Sequence, residues 1–368
     1  MSGVTPALPP LRVDGRLDRV RAATAAIEAD ALVVTNLTNV RWCTGFTGSF
    51  GVLVVTADAA TLLTDSRYAT QAPAQIVESA ADVEVRVSVE VVAEGSSLLD
   101  GVPRVALEAD DITWSSQRRW AEALDCELVA ADAMITELRS IKDDAELARM
   151  QAAAAIVDDA LADAVPLLVP GTTERELASF LEDGRRARGA SGPAYETIVA
   201  GGPNAALPHA RPSDRAFVDG DLVVIAAGSV VDAYRSDMTR TFVVGRADET
   251  ACTIHDLVTR AQAAGVAAVR PDIEVGAIDA ACRDLITEEG YGPEFGHGTG
   301  HGVGLDIHEL PSVRRGNSAI LQPGQVITVE PGIYLPGVGG VRVEDMVVVT
   351  DDGCRPLTRS PKISLTPR

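Results

Sequence analysis

The chain has 368 residues and a formal charge of −21, with 53 acidic against 32 basic side chains. That balance sets aside phosphate backbones and anionic lipid as partners, so neither a nucleic-acid nor a membrane role is expected. With 46% hydrophobic and 23% charged residues, the composition is that of a globular protein with material for two domains, each able to bury a core.

The opening stretch MSGVTPALPPLRVDGRLDRVRAA lacks a basic start followed by an apolar core, and no run of about 18 apolar residues occurs. A soluble, cytoplasmic protein is expected. Cys43, Cys126, Cys252, Cys282 and Cys354 are odd in number, scattered and free of CxxC spacing, which predicts reduced, mostly buried thiols rather than disulfides or a zinc knuckle.

From about residue 16, RLDRVRAATAAIEADALVVTNLTNVRW predicts an amphipathic helix, a short strand and a polar turn. GVLVVT, ATLLTD, VEVRVSV and RVALEA read as further strands, with helical patches such as SSQRRWAEAL between them. The expectation is an α/β amino-terminal domain over residues 1–138; it contains no histidine.

ELRSIKD closes that domain, and residues 139–368 form the second. Asp143 with Glu146 predicts a capping box at the head of an alanine-rich helix. Pro170 and Gly171 then break the chain, and Thr173 with Glu176 opens a second helix to about Arg188. ETACTIHDLVTRAQAAGVAAV and GAIDAACRDLITEEG predict two more helices, flanked by strands rich in valine and isoleucine. Residues 223–242 read as two strands around a turn, with Asp232 near the turn and Asp237 beyond it. The second domain is therefore expected to be α+β, with long helices against a mainly antiparallel sheet.

Chemistry concentrates in this domain. His209 lies in NAALPHARPSDR, and His297, His301 and His308 lie in FGHGTGHGVGLDIHE; His255 falls inside an amphipathic helix and reads as structural. Glycines at 296, 298, 300, 302 and 304 permit close backbone approach, and the lysine and hydroxyl of a phosphate loop are missing. Glu330 ends the apolar strand VITVE and Glu344 sits among valines in VRVED, where an unpaired buried charge is costly. Asp237, His301, Glu330 and Glu344 thus suit one oxygen-rich site with a single imidazole, a donor set for manganese, cobalt or iron rather than structural zinc.

The stretches LPHARPSDR, YRSDMTRTF, HGTGHGVGLDIHE, VEPGIYLPGVGG and VRVEDMVVVT, in that order, resemble the signatures of the methionine aminopeptidase and prolidase family. NVRWCTGFTGSFG, LLTDSRY and IKDDAEL resemble its Xaa-Pro branch (prolidase and aminopeptidase P), so the likeness spans nearly the whole chain. It implies a creatinase/prolidase-type first domain and a pita-bread (creatinase/aminopeptidase-like) second domain, and a dinuclear metallopeptidase acting on small proline-containing peptides, commonly as a homodimer. The metal would be manganese first, with cobalt, iron or zinc as alternatives.

By motif, the resemblance places metal ligands on Asp237, His301, Glu330 and Glu344. The family's first aspartate stands eleven residues before the second, and that position is Ala226. Two ions are implied by the family and, with alanine at 226, as few as one here. Glu330 would also serve as the general base, His209, His297 and His308 would hold substrate and stabilise the oxyanion, Arg342 would contact substrate or orient ligands, and Tyr234 would support them from behind. Trp42 or Tyr68 would line the cleft, with an interior position in the first domain as the alternative. Three readings of Ala226 stay open: an inactivating replacement in an intact peptidase, a natural mononuclear enzyme, or a non-catalytic binding protein. A creatinase-like, metal-free hydrolase is the remaining alternative.

Overall fold

The computed structural model describes residues 8–365, which divide into two compact units between Arg139 and Ser140. The first is built on a six-stranded mixed sheet. Ala31–Val34 lies at its middle, antiparallel to Val52–Thr56 and parallel to Arg104–Leu107. All four residues of the ALVV strand are buried, as a continuous apolar run covered on both faces requires. Trp42 is an interior residue of this unit, 1% exposed. The guanidinium groups of Arg16 and Arg19 lie 4.9 and 5.4 Å from its ring centroid. Tyr68 meets Phe46 edge-on, and its hydroxyl lies 2.7 Å from Ser49 Oγ.

One expectation here is corrected. The polar turn expected after the ALVVT strand is a helix, Leu37–Thr44, because the Asn36 side chain accepts from the backbone N–H groups of Thr38 and Asn39 and so caps it.

The second unit repeats one design twice, a pair of helices against an antiparallel sheet. Asp144–Ala164 and Glu174–Ala187 both begin with reciprocal capping boxes, Asp143 with Glu146 and Thr173 with Glu176. They pack on the sheet of Ile198–Gly201, Leu222–Ala226 and Thr239–Val243 through Val157, Leu177, Leu181, Val223 and Ile225. Glu249–Ala268 and Gly276–Glu288 pack on a five-stranded sheet through Ile254, Val258, Ile278, Ile327 and Val347. His255 is buried in the first of these two helices.

The two sheets touch where a bridge pairs Thr239 with Glu344. Residues 223–242 depart from the expected two strands. Leu222–Ala226 and Thr239–Val243 do pair, but Ser229–Val231 and Tyr234–Arg235 form a hairpin of their own between them. Asp232 and Ala233 take positive φ of 46° and 70° at its tip, the two-residue geometry that matches strand twist. Burial keeps the Cys43 and Cys282 thiols protonated, each pushed up to about 12, and among the described residues all five cysteines are unbridged. No helix among the described residues is long and apolar enough to cross a membrane.

Candidate metal centre

Four of the residues singled out by sequence converge in the second unit. Asp237 lies between the hairpin strand Tyr234–Arg235 and the strand Thr239–Val243, and is 6% exposed. His301 is the middle residue of Gly300–Gly302. Glu330 directly follows Val326–Val329, and Glu344 directly precedes Asp345–Val349, the neighbouring strand. Adjacent strand ends thus bring carboxylates from distant sequence to one place.

His301 Nε2 lies 3.6 Å from Asp237 Oδ2 and 3.4 Å from Glu330 Oε1. Its Nδ1 is 2.9 Å from the Gly302 carbonyl, which can only accept and so takes the Nδ1 proton, and this orients Nε2 toward the carboxylates. Ligand atoms of Asp237, His301 and Glu344 all lie within 4.8 Å of one another.

The carboxylates are crowded. Burial raises the Asp237 and Glu330 pKa values, and burial with the neighbouring Asp237 and Glu330 charges raises that of Glu344 well above its usual range. Thr239 Oγ1 donates to Glu344 Oε2 at 2.6 Å, while Glu344 Oε1 is buried with no hydrogen-bond partner. An orphaned buried carboxylate oxygen beside two other carboxylates and an imidazole nitrogen fits a divalent cation, which would satisfy all of them together.

Around this cluster the remaining histidines sit differently. His308 is exposed and stacks edge-on against His301, ring centroids 4.4 Å apart. His209 is exposed on the loop after the 198–201 strand; burial of part of its ring and the Arg342 charge lower its pKa. His297 is half-buried with both ring nitrogens engaged, Nδ1 by the Gly298 carbonyl at 2.7 Å and Nε2 by the Tyr334 hydroxyl at 3.0 Å. Arg342 is buried, donates to Tyr334 Oη, Thr239 Oγ1 and the Pro208 carbonyl, and stands 3.9 Å from Glu330. It therefore ties the His209 loop to the carboxylates.

The glycine-rich loop explains itself in part. A Cβ on Gly300 would come within 2.1 Å of the Thr328 carbonyl oxygen, and one on Gly302 within 2.2 Å of the Leu310 carbonyl oxygen. Only glycine admits the strand that carries His301. Gly296 has open space around it and no such reason.

Tyr234 directs its hydroxyl to Glu146 Oε1 at 2.8 Å, on the long first helix of the unit. A tyrosine that reaches the cluster directly is Tyr195, whose hydroxyl donates to Asp237 Oδ1 at 2.5 Å. Sequence reasoning missed Tyr195, Thr239 and Tyr334. The last two lie inside the stretches YRSDMTRTF and VEPGIYLPGVGG, but Tyr195 in GPAYET carried no signal. Ala226 ends its strand opposite Thr239, its methyl packed with Ile198 and Ala200.

The sequence pattern of metallopeptidase family M24 matches residues 148–351, the stretch that contributes every residue of this cluster. The chain belongs to that family. The pattern of the creatinase/prolidase N-terminal domain matches residues 16–141. As an M24 member the chain is a hydrolase of divalent-metal type with a creatinase-like first domain and a pita-bread second domain. It is 38% identical to the uncharacterized peptidase YqhT of Bacillus subtilis over 94% of this chain and 98% of that one. It is 34% identical to a Xaa-Pro dipeptidase of Pyrococcus horikoshii over 90% and 93%. A solved structure of a Xaa-Pro dipeptidase from Bacillus anthracis, 36% identical, superposes with a TM-score of 0.91 over 95% of this chain and 99% of that one.

Proposed function

We propose that this M24 hydrolase cleaves the bond before proline in small Xaa-Pro peptides, at a divalent-metal centre held by Asp237, His301, Glu330 and Glu344. The observation that carries this reading is the convergence of two buried carboxylates, Asp237 and Glu344, and the half-buried Glu330 around Nε2 of one histidine, with Glu344 Oε1 left unpartnered. Relatives named Xaa-Pro dipeptidase support the choice of substrate. A peptide bond to proline is a tertiary amide whose nitrogen offers no proton, so a dedicated site is of use.

Manganese is the preferred ion. When bound, a divalent cation supplies Lewis-acid polarisation of the scissile carbonyl and lowers the pKa of water. Glu330, beside His301 and held off full pairing with Arg342, accepts a proton from the attacking water and delivers it to the prolyl nitrogen as the C–N bond breaks. His209 and His308, exposed near the cluster, face incoming peptide and its developing oxyanion. His297 and Arg342 serve by position, through Tyr334 and the Pro208 carbonyl. Position 226 offers no oxygen, so activity is expected to be low for the family.

That last feature favours a second reading, a catalytically altered homologue without metal-dependent turnover. Hydrolysis of Ala-Pro and Ala-Ala by the manganese-loaded chain separates the two. Slow cleavage of Ala-Pro alone, abolished by chelation and regained with Mn2+, is expected. Turnover that survives chelation points to metal-free chemistry, and no cleavage with manganese, cobalt or iron points to a binding protein.

A further inference from the structure

Buried polar groups collect behind the cluster as well as within it. Asp345, the residue after Glu344, is buried and takes donors on both oxygens: Arg240 Nη2 at 2.7 Å and Thr358 Oγ1 at 3.0 Å on Oδ1, Lys362 Nζ at 2.5 Å and Gln262 Nε2 at 3.1 Å on Oδ2. Arg240, also buried, donates from Nη1 to the backbone carbonyls of Thr239 and Glu344, and from Nε and Nη2 to the Ser360 carbonyl at 3.0 and 2.6 Å. Thr239 and Glu344 are the pair already joined side chain to side chain. One guanidinium therefore ties both of their backbones to the segment 358–362.

That segment is anchored on both helix pairs of the unit. Asp158, on the helix Asp144–Ala164, accepts from the Arg359 and Ser360 N–H groups, each at 2.8 Å, and from Ser360 Oγ at 2.6 Å. Lys362 Nζ reaches Gln262 Oε1 at 2.7 Å on the helix Glu249–Ala268. Gln262 Nε2 in turn lies 3.4 Å from the carbonyl of Val329, the residue before Glu330.

We propose that residues 358–362 act as a strap across the two halves of the unit, positioning Glu344 and Glu330 for the metal, with Lys362, Arg240 and Asp345 as positioning residues. The inference rests on the reading of Asp237, His301, Glu330 and Glu344 as a metal site. Carboxylates brought together repel one another, so the strand ends that carry them need an opposing hold. The strap supplies it through the backbones of residues 239, 329 and 344, and a site loosened by about 1 Å for want of such support loses its function.

Mn2+ dissociation constants from titration calorimetry test this on variants of the full chain, with urea midpoints of the metal-free proteins measured beside them. Lys362→Met keeps the apolar stem and loses the ammonium, and Asp158→Ala frees the segment at its other anchor. Each is expected to weaken Mn2+ binding about tenfold, the low end for partners that orient metal ligands, and Lys362→Arg to regain most of the loss. Val157→Ala, in the core under the same helix as Asp158, lowers stability without touching the strap and is expected to bind as the parent does. Binding within about twofold of the parent in both Lys362→Met and Asp158→Ala overturns the proposal, as does an equal loss in Val157→Ala. Should Lys362→Met not fold, Asp158→Ala decides by itself. A folded parent that binds no Mn2+ overturns the metal-site reading and the strap's role with it; a parent that binds, with strap variants that bind equally well, leaves that reading intact and removes only the strap.

Discussion

Tyr334 donates its hydroxyl proton to Nε2 of His297 across 3.0 Å. The direction is fixed at both ends, because Arg342 Nη1 donates to the same phenol oxygen and the His297 Nδ1 proton goes to the Gly298 carbonyl. His297 is thereby held neutral, and burial, against the Gly298 bond and with the Arg342 charge nearby, lowers its pKa to about 4 from 6.5.

That shift dictates a pH dependence. Between pH 4 and 6.5 the unfolded chain binds a proton at this histidine and the folded chain does not, so stability rises with pH across the window. The contribution is complete above pH 6.5 and lost as pH falls toward 4, on the order of 3 kcal/mol in all. Burial lowers His209, His255 and His308 as well, so the test is a difference. Urea midpoints taken from pH 4 to 7 are expected to fall less steeply on acidification in His297→Gln than in the unaltered chain, by up to one proton's worth of slope. Parallel profiles would mean that His297 titrates normally.

The glycine loop yields a contrast between neighbours. Gly300→Ala forces a methyl onto the Thr328 carbonyl, 2.1 Å from where Cβ must lie, and neither strand can retreat without moving His301 or Glu330. A loss of roughly 3 kcal/mol or more in chemical denaturation is expected, with metal affinity falling too. Gly296→Ala meets nothing within 4 Å and is expected within about 0.5 kcal/mol of the parent. Equal effects at the two positions would show that backbone proximity is not what the loop requires.

This contrast also marks what could be read from sequence. Alternating glycines beside three histidines signalled close backbone approach, and at Gly300 and Gly302 the approach is there; at Gly296 the pattern alone cannot tell a required glycine from a tolerated one. Capping boxes at Asp143 and Thr173 were legible because they depend on residues three apart. The helix after Asn36 was not, since eight residues of mixed polarity carry little periodicity. Asp237, Glu330 and Glu344 stood out as carboxylates beside apolar strands, whereas Tyr195 reaches Asp237 from 42 residues away and looks in sequence like any half-buried aromatic.

Lys142 and Glu309 form an ion pair at 3.0 Å with both side chains 1% exposed. Glu309 Oε1 also accepts from the Asp306 N–H and so shapes the turn before His308, so the pair joins the start of the unit to the rim of the site. Lys142→Met strands a buried carboxylate and is expected to cost about 3–5 kcal/mol in urea denaturation. Lys142→Met with Glu309→Leu removes both charges and is expected to recover most of that loss while leaving the turn looser, seen as faster amide exchange at residues 304–308. A double variant no more stable than the single would place the cost in packing rather than in the unpaired charge.

Glu344 is placed where ion binding and apo stability pull in opposite directions. Without a cation, its charge is buried beside Asp237 and Glu330 with Oε1 unpartnered, so Glu344→Gln relieves repulsion while its amide oxygen still accepts from Thr239. The apo variant is expected to be more stable than the parent by on the order of 1 kcal/mol at pH 7. With Mn2+ at about 100 times the parent's Kd, the parent gains about 2.7 kcal/mol by mass action, and a hundredfold weaker variant gains only about 0.4 kcal/mol. Thermal unfolding with and without manganese therefore ranks the two proteins in opposite orders. If Glu344→Gln instead destabilises the apo form and keeps the full manganese-induced gain, Glu344 is a structural acceptor for Thr239 and holds no ion.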